Sequence, residues 1–414
     1  MKITHIHIER FRGFQNEDFE VGSLLTAIAG QNGTQKSTLL GIITQTFTLK
    51  TEDSMRVEKP LCGGSYISAF KDKFRLSPTF DKPKGHEWTI SFDAGMDDFT
   101  VESIKRTGDP NVRFWKKGAR QEGDGYISFP TIFLSLKRLV PVAEEAKIIT
   151  DDTLLTQEEL NEFKQLHNKI LIAQTPISSA TTITSKNKQS IGVSTELYDW
   201  NQNSMGQDNL GKIILALFSF KRLHDKYPRQ YKGGILAIDE MDATMYPASQ
   251  VELLKVLRKY ASKLNLQILF TTHSMSLLKA MDDLVQEVTK KEETANQAKI
   301  LYLKKVDDKI AIKQGVNFKG IQLDLNVVAE GNNRKKNRIT AYTEDKENIL
   351  FVKAILKSKA FVLDFVDVTL PCSTLMELVT KRVPAFIYPY SIVILDGDVR
   401  MNGEFNLQMQ QNSD

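Results

Sequence analysis

The feature that most constrains this chain is a loop that contains glycine, between an apolar run and a helical pattern near the N-terminus. The apolar run at residues 24–29 predicts a short buried strand, and the loop sequence GQNGTQKST of residues 30–38 follows it directly. Strand, glycine loop and helix in this order are the context of a P-loop, whose backbone N–H groups surround phosphate oxygens at a helix N-terminus. We therefore expect a phosphate-binding site on an α/β fold.

The side chains of this loop have separate expected roles. Lys36 would reach the β- and γ-phosphates of a nucleotide as a point charge, and Ser37 would be a ligand of Mg²⁺. ATP and Mg²⁺ are therefore the expected cofactors. The ATP-binding residues predicted from the loop are Gly30, Asn32, Gly33, Thr34, Gln35, Lys36, Ser37 and Thr38.

One position departs from the P-loop pattern. Gln35 stands where a glycine normally precedes the lysine. A side chain here would crowd the phosphates or oppose an unusual backbone angle. We therefore expect nucleotide binding together with slow hydrolysis.

Two later apolar runs end in polar residues that suit an ATPase. Residues 234–238 lead into Asp239 and Glu240, and residues 266–272 lead into His273. Asp239 would hold Mg²⁺, and Glu240 would polarise the attacking water. His273 would contact the γ-phosphate, which makes Glu240 and His273 the predicted catalytic residues.

A third motif lies between the loop and the Asp-Glu strand. Ser204, Gly206 and Gln207 open a predicted helix, and Met205 replaces one glycine of the signature Ser-Gly-Gly-Gln. Together these motifs resemble the ABC-type ATPase heads of the SMC/Rad50 class. The resemblance implies that these residues contact ATP bound by a second protomer, in a homodimer or a higher oligomer. It also implies that Arg12 approaches the phosphates.

The order of predicted elements divides the chain into two domains. We assign residues 1–330 to an ABC-type P-loop ATPase domain, with a helical insertion at about 142–200 that opens with a capping box at residues 156–159. Strands and helices alternate over residues 339–414, which predicts a smaller parallel α/β domain. The single insertion is too short for the long coiled coil of SMC proteins. The class of protein that still matches is the compact ATPase head of prokaryotic defence systems.

Carboxylates end two predicted strands of the smaller domain. Glu344 follows residues 339–343, and Asp396 and Asp398 follow a later strand. This arrangement resembles a Toprim domain, in which three carboxylates bind Mg²⁺ for phosphodiester chemistry. An ABC head followed by Toprim is the arrangement of the overcoming-lysogenization-defect (OLD) family nucleases. The sequence ends 16 residues after Asp398, so the Toprim-like domain would be truncated or degenerate. A structural lobe with acidic strand ends is an equal alternative.

The loop sequence GTQKST and the compact head also resemble the ATPase subunit of Septu-type systems. In those systems a separate HNH nuclease is restrained by the ATPase. The resemblances together imply an anti-phage ATPase that dimerises around ATP and regulates a nuclease. That nuclease is either a partner protein or the C-terminal domain itself. A chromosome-repair or transport ATPase is a third class, for which neither a long coiled coil nor a membrane-docking groove is evident.

Composition sets the remaining expectations. The net charge of +4 is too small to indicate a nucleic-acid binder. Only the basic stretch at residues 105–120, with Phe114 and Trp115 among its cations, could bind nucleic acid, and a hairpin with both rings in a core is the simpler interpretation. No run has transmembrane length, no signal peptide is evident, and the chain has two cysteines. We therefore expect a cytoplasmic protein without a membrane partner.

Overall fold

The chain forms two compact units, residues 1–325 and residues 326–414. The computed structural model describes residues 1–68, 73–93, 95–105, 112–119, 124–140, 148–151, 154–185, 189–330, 339–387 and 391–396. No helix within these ranges is both long enough and apolar enough to cross a membrane.

The first unit contains most of the secondary structure. Its described strands are β1 Ile3–Phe11, β2 Phe14–Glu20, β3 Leu25–Gly30, β4 Phe47–Thr48, β5 Glu87–Phe92, β6 Phe99–Lys105, β7 Val112–Lys116, β8 Ile127–Ser128, β9 Thr131–Leu134, β10 Ile149–Asp151, β11 Ser179–Thr184, β12 Gln189–Ser194, β13 Gly234–Ile238, β14 Leu266–Thr272, β15 Ala298–Val306 and β16 Lys309–Lys313. Its described helices are α1 Lys36–Gln45, α2 Gln157–Leu171, α3 Met205–Lys226, α4 Pro247–Lys263 and α5 Met275–Val288. Helix α6, Phe318–Glu330, runs across the boundary between the units.

A six-stranded sheet organises the first unit. Its strand order is β16-β15-β3-β14-β13-β9, and β16 alone runs antiparallel to its neighbour. Side chains alternate between the two faces: Ala27 and Ala29 of β3 belong to one hydrophobic cluster, whereas Ile28 belongs to the other. Both faces are therefore buried. This burial explains why the parallel strands are continuous apolar runs in the sequence.

Different elements cover the two faces of this sheet. Helix α1 and the antiparallel sheet β2-β1-β5-β6-β7 pack on one face, through residues such as Leu39 and Trp88. Helices α3, α4 and α5 pack on the other face, through residues such as Ile213, Leu253 and Leu277. Because β3, β14 and β13 are parallel neighbours, their carboxyl ends lie at one edge of the sheet. The predicted site residues follow the strands at this edge.

The insertion predicted at residues 142–200 is helical only in part. Its capping box is confirmed, because Thr156 and Glu159 each accept the other's backbone N–H at the start of α2. The predicted helical character outside α2 is wrong, since β10 before this helix and β11 and β12 after it form an antiparallel sheet. The local sequence SATTIT of β11 is rich in β-branched residues, which pack well in strands.

The aromatic residues of the basic stretch belong to the core. Phe114 and Trp115 are 3% and 7% exposed in β7. The Arg113 guanidinium lies 4.3 Å from the centroid of the Trp115 ring. Buried rings cannot stack on bases, so the hairpin interpretation holds for these two residues. Arg106 and Arg120 lie outside the described residues.

The second unit contains a small parallel sheet. Its described elements are β17 Ile339–Thr343, α7 Lys346–Leu356, β18 Leu363–Phe365, α8 Cys372–Thr380 and β19 Ser391–Ile394. The strand order is β18-β17-β19, with both pairs parallel. Parallel neighbours require crossover connections, and the two helices lie in those connections.

One fold prediction concerns the centre of the main sheet. Phe270 of β14 is fully buried between two parallel neighbours. Replacing Phe270 with Ala removes most of a buried ring, so we expect the free energy of unfolding to fall by about 3–5 kcal/mol in urea denaturation. Phe80 is 85% exposed, and Phe80→Ala is the control, with an expected change within about 0.5 kcal/mol. Equal losses for the two variants would contradict the assigned core.

Candidate functional site

The loop at residues 30–35 connects β3 to α1 at the carboxyl edge of the main sheet. Gly30 and Gly33 have positive φ angles of 152° and 79°. A Cβ on Gly30 would overlap the carbonyl oxygen of Leu303, so glycine is required there for space as well as conformation. The buried Thr34 hydroxyl donates to the carbonyl oxygen of Gln31 at 2.8 Å. The loop is therefore closed on itself before α1 begins.

Gln35 occupies the position where the P-loop pattern has glycine. Its backbone has φ 61° and ψ 32°, which is the left-handed conformation that favours glycine. Its side chain packs against the turn between β1 and β2, where a Cβ on Gly13 would lie 2.8 Å from the Gln35 Nε2 atom. The backbone N–H of Ile310 donates to the Gly13 carbonyl oxygen at 2.8 Å. Gln35 therefore links the loop to that turn.

Lys36 points into the loop. Its Nζ atom donates to the carbonyl oxygens of Gly30 and Gln31 at 3.1 and 2.9 Å. Burial lowers its pKa, while the charges of Glu240, Asp239 and Asp242 oppose that change. A cation close to three carboxylates therefore lies at the centre of the candidate site. A phosphate group could replace the two carbonyl oxygens as its partner.

A buried carboxylate joins the loop to the sheet. Asp239 follows β13, and its Oδ1 atom accepts hydrogen bonds from Ser37 Oγ at 2.9 Å and Thr271 Oγ1 at 2.7 Å. Hydroxyl and carboxylate oxygens are the ligand types that Mg²⁺ prefers, so these residues fit the expected metal. Sequence analysis did not select Thr271. The signal was a hydroxyl two residues before His273, on the strand beside β13.

The backbone of Glu240 is held from two sides. Its N–H donates to Thr271 Oγ1 at 2.6 Å, and its carbonyl oxygen accepts from Arg138 Nη2 at 2.8 Å. Its φ of 49° is also left-handed. These contacts orient the residue at the end of β13.

Arg138 is a site residue that sequence analysis missed. It is 2% exposed, and its Nε atom donates to Asn209 Oδ1 at 2.7 Å. Burial lowers the pKa of Arg138 to about 10, against the charges of Asp239, Glu240 and Asp242. The available signal was a cation four residues after the apolar strand β9.

His273 lies at the end of β14, as predicted. Its backbone N–H is 3.4 Å from Asp242 Oδ1, and its side chain is exposed. Burial and the charge of Lys36 lower the pKa of His273, although Asp242, Glu240 and Asp239 act in the opposite direction. The imidazole is thus within electrostatic reach of the loop lysine.

The predicted signature residues form the start of α3. Ser204 accepts the N–H of Gln207 at 3.3 Å, and the Gln207 side chain accepts the Ser204 N–H at 2.8 Å. A Cβ on Gly206 would lie 2.5 Å from the Thr244 carbonyl oxygen, so only glycine fits there. Within the described part of the chain, none of these residues forms a hydrogen bond with the loop at residues 30–38.

Arg12 lies beside α1 but is engaged by a carboxylate. Its Nε and Nη2 atoms donate to the two oxygens of Asp81 at 3.1 and 3.0 Å, and Nη1 is 3.5 Å from Thr38 Oγ1. His86 Nε2 is 3.0 Å from Asp81 Oδ1. Burial opposes ionisation of Asp81, but Arg12, the Ser77 N–H and His86 hold its pKa at about 2. No sequence motif pointed to Asp81 or His86.

The C-terminal carboxylates are only partly brought together. Thr343 pairs with Ile394, so Glu344 and Asp396 follow the ends of neighbouring parallel strands. Glu344 Oε1 accepts the N–H of Cys372 at 3.4 Å. Asp398 lies outside the described residues. Among the residues that are described, no group of three or more His, Cys, Asp and Glu side chains is placed to hold a metal ion.

A prediction concerns the buried Asp81 carboxylate. In Asp81→Asn, Arg12 and His86 lose a charged acceptor, and we expect the free energy of unfolding at pH 7 to fall by about 1–3 kcal/mol. The pKa is about 2 in the folded state against 3.8 as the ordinary value. The stabilisation is therefore complete above that ordinary value and is lost as the pH falls through the folded one.

The measurement is urea denaturation of both proteins across this pH range, with Asp97→Asn at an exposed position as the control. The difference between wild type and Asp81→Asn should shrink toward acid pH. A difference independent of pH would contradict the ion pair.

Comparison with protein families supports an ATPase domain in the first unit. Residues 135–278 match the family model described as AAA ATPase domain. This segment includes Ser204, Asp239, Glu240 and His273, while the loop at residues 30–38 lies outside it. No curated protein matches the chain.

Three solved structures show a distant likeness of fold. The SMC head domain from Thermotoga maritima has a TM-score of 0.42 and 14% identity, covering 76% of this chain and 100% of its own. The SmcHead bound to the C-winged helix domain of ScpA has a TM-score of 0.44 and 14% identity, covering 78% and 100%. The Smc head domain with an extended coiled coil bound to the C-terminal domain of ScpA, derived from Pyrococcus furiosus, has a TM-score of 0.42 and 13% identity, covering 79% and 99%. Residues 135–278 are thus similar to the AAA ATPase domain. The sheets and helices described above make the fold mixed α/β.

Proposed function

We propose that this protein is an ATP-binding ABC-class ATPase of a prokaryotic anti-phage system, and that it dimerises around ATP to regulate a nuclease partner of the HNH type. The observation that carries the ATPase part is the contact of Ser37 and Thr271 with Asp239 at the end of the phosphate loop. This contact joins the phosphate-binding helix to the acidic strand end that ATP hydrolysis requires.

Nucleotide binding would use the loop and the start of α1. The backbone N–H groups of residues 31–36 and the positive end of the helix dipole favour phosphate oxygens. Lys36 would exchange its carbonyl partners for the β- and γ-phosphates. Ser37 and Asp239 would hold Mg²⁺, which neutralises charge on the phosphates when it is bound.

Hydrolysis would depend on Glu240. Its carboxylate would accept a proton from the attacking water, and the contacts from Thr271 and Arg138 fix the backbone that aims it. His273 would contact the terminal phosphate as a neutral or charged donor. Arg12 would contribute a positive charge near Thr38, in a position set by Asp81.

Dimerisation would bring the signature residues to a second copy. Ser204, Gly206 and Gln207 form a helix start that has no hydrogen bond to its own loop in the described part of the chain. Met205 is 44% exposed and Tyr246 is 80% exposed, so apolar side chains near this helix start are accessible. Phosphate contacts from both copies would then make assembly depend on bound ATP.

The anti-phage role rests on the resemblance of the loop sequence GTQKST and of the compact head to Septu-type ATPase subunits. In this proposal the nucleotide state gates a separate nuclease, and nucleic acid is contacted by that partner. The insertion at about residues 142–200 is also too short for the long coiled coil of SMC proteins, which favours a compact regulator over a chromosome-repair ATPase.

A second candidate function is an OLD-type nuclease that cuts nucleic acid itself. It is favoured by one observation, the placement of Glu344 and Asp396 at the ends of neighbouring parallel strands. Asp398 would complete a Toprim-like carboxylate cluster for Mg²⁺.

The first prediction from this proposal concerns the loop. Gln35→Gly removes a side chain from a left-handed position, which allows the backbone to adjust to the phosphates without strain. We expect kcat for ATP hydrolysis to rise by about two- to tenfold, measured by phosphate release in steady state.

Two control variants accompany this measurement, one that should lose activity and one that should keep it. Lys36→Ala should reduce turnover by about a hundredfold or more, because it removes the charge that meets the phosphates. Lys290→Ala, at an exposed position after α5, should leave turnover unchanged. An unchanged rate for Gln35→Gly would refute a block by that side chain.

The second prediction locates the nuclease. We expect the protein, expressed with the products of its neighbouring genes, to purify as an assembly that contains a second protein, with at least two copies of this chain. The measurement is native mass spectrometry with and without ATP. Purification of this chain alone, in every nucleotide state, would contradict the regulator proposal.

The OLD-type candidate is tested with the same preparation. Degradation of plasmid DNA in Mg²⁺ or Mn²⁺ should be lost in Asp396→Ala if the chain itself cuts. Cutting that persists in this variant and disappears on removal of the partner would assign the chemistry to the partner.

A further inference from the structure

A cavity separate from the phosphate loop lies beside β9, an edge strand of the main sheet. Its volume is about 470 Å³, and none of residues 30–38 lines it. Its walls come from β9 and the turn after it, from the loop at residues 60–68, from the ends of β11 and β12, and from α3. This volume falls within the range of about 300–1,000 Å³ that is usual for small-molecule sites.

The lining of this cavity is strongly cationic. Its charged side chains are Lys73, Lys137, Arg138 and Lys212, and no carboxylate belongs to the described residues that line it. Grouped cations around a concave surface create a positive potential that concentrates anions. Lys137 is exposed, and Lys73 Nζ donates to Ser68 Oγ at 2.6 Å and to the Thr44 carbonyl oxygen at 2.7 Å.

Hydrogen-bonding groups accompany the charges. Gly63 and Gly64 have φ angles of 80° and 79°, and a Cβ on Gly64 would meet no atom within 4 Å. This small, open loop lets a ligand approach its backbone closely. Ser65, Ser135 and Ser185 add hydroxyl groups to the lining. Charged and neutral donors around one volume suit the oxygens of a phosphate group.

The lining also has an apolar part. Phe133 of β9, which is partly exposed, and Ile67 of the loop at residues 60–68, which is 46% exposed, contribute accessible apolar surface. An inorganic ion alone would leave such surface without a partner, whereas a nucleoside or a similar organic group would cover it. The combination therefore fits a phosphate ester of nucleotide size.

One lining residue connects this cavity to the candidate ATPase site. Arg138 lines the cavity and donates to the carbonyl oxygen of Glu240 at 2.8 Å. An anion in the cavity would attract the Arg138 guanidinium and alter its contact with the end of β13. The Arg138 side chain thus contacts both the cavity and Glu240, the residue proposed to activate water.

We propose that this cavity is a second ligand site, which binds a small phosphate ester of nucleotide size and is distinct from the ATP site of the phosphate loop. Lys137 and Lys212 would contact the phosphate groups, and the wall from β9 would contact the organic part. The effect on ATP turnover, through Arg138, rests on the proposed function. Binding itself does not.

Binding is tested by isothermal titration calorimetry at low ionic strength, with ATP and inorganic triphosphate as separate probes. In Lys36→Ala protein, where the phosphate loop is disabled, we expect one remaining site per chain. Adding Lys137→Glu should weaken this binding by about tenfold or more, because a phosphate contact becomes a repulsion. Adding Lys290→Glu, an exposed charge reversal outside the cavity, should leave it unchanged.

The same titration of the unaltered protein keeps the test valid if Lys36→Ala does not fold. It should give two sites per chain, and Lys137→Glu should leave one. The proposal is overturned if the unaltered protein has a single site that Lys137→Glu does not affect, or if Lys290→Glu weakens binding equally. It is also overturned if a single-stranded oligonucleotide binds in a Lys137-dependent manner while triphosphate and nucleotides do not, since this would identify a nucleic-acid groove.

Discussion

The hydrogen bonds to Asp239 are the contacts on which the candidate site depends. They join three segments that are far apart in sequence: the start of α1 through Ser37, the end of β13 through Asp239 itself, and the end of β14 through Thr271. Because the carboxylate is 5% exposed, these partners also satisfy a charge that burial would otherwise penalise. The loop at residues 30–38 is therefore positioned by the same interaction that brings together Ser37 and Asp239, the proposed metal ligands.

Much of this arrangement was predictable because the parallel sheet is buried on both faces. Strands such as β13 and β14 are then continuous apolar runs, and the polar residue after each run marks the edge that carries the candidate site. Asp239 and His273 were selected in this way, and Lys36 was selected from the glycine loop that follows β3. Arg138 and Thr271 were not, because their importance comes from hydrogen bonds across strands that are not neighbours in sequence. Asp81 lies in a loop without periodicity, and only the folded chain brings it to Arg12.

The predictions were weaker where local and tertiary preferences compete. The insertion was expected to be helical because the pattern of α2 is strong, but the Thr- and Ser-rich residues that follow pair as strands. Their pattern is short, and the pairing partner of a short strand cannot be read from its own residues. In the second unit, the alternation of strand and helix was evident, yet the convergence of three carboxylates depends on more than strand order.

The packing of Gln35 against Gly13 has a consequence for how the loop can be observed. Gly13 accepts the N–H of Ile310 from β16, at the edge of the main sheet. A Cβ on Gly13 would lie 2.7 Å from a side-chain atom of Ile310 and 2.8 Å from Gln35 Nε2. The turn, the loop and the edge hairpin are therefore in mutual contact. The exchange rate of the Ile310 amide proton should therefore report changes in the conformation of the loop.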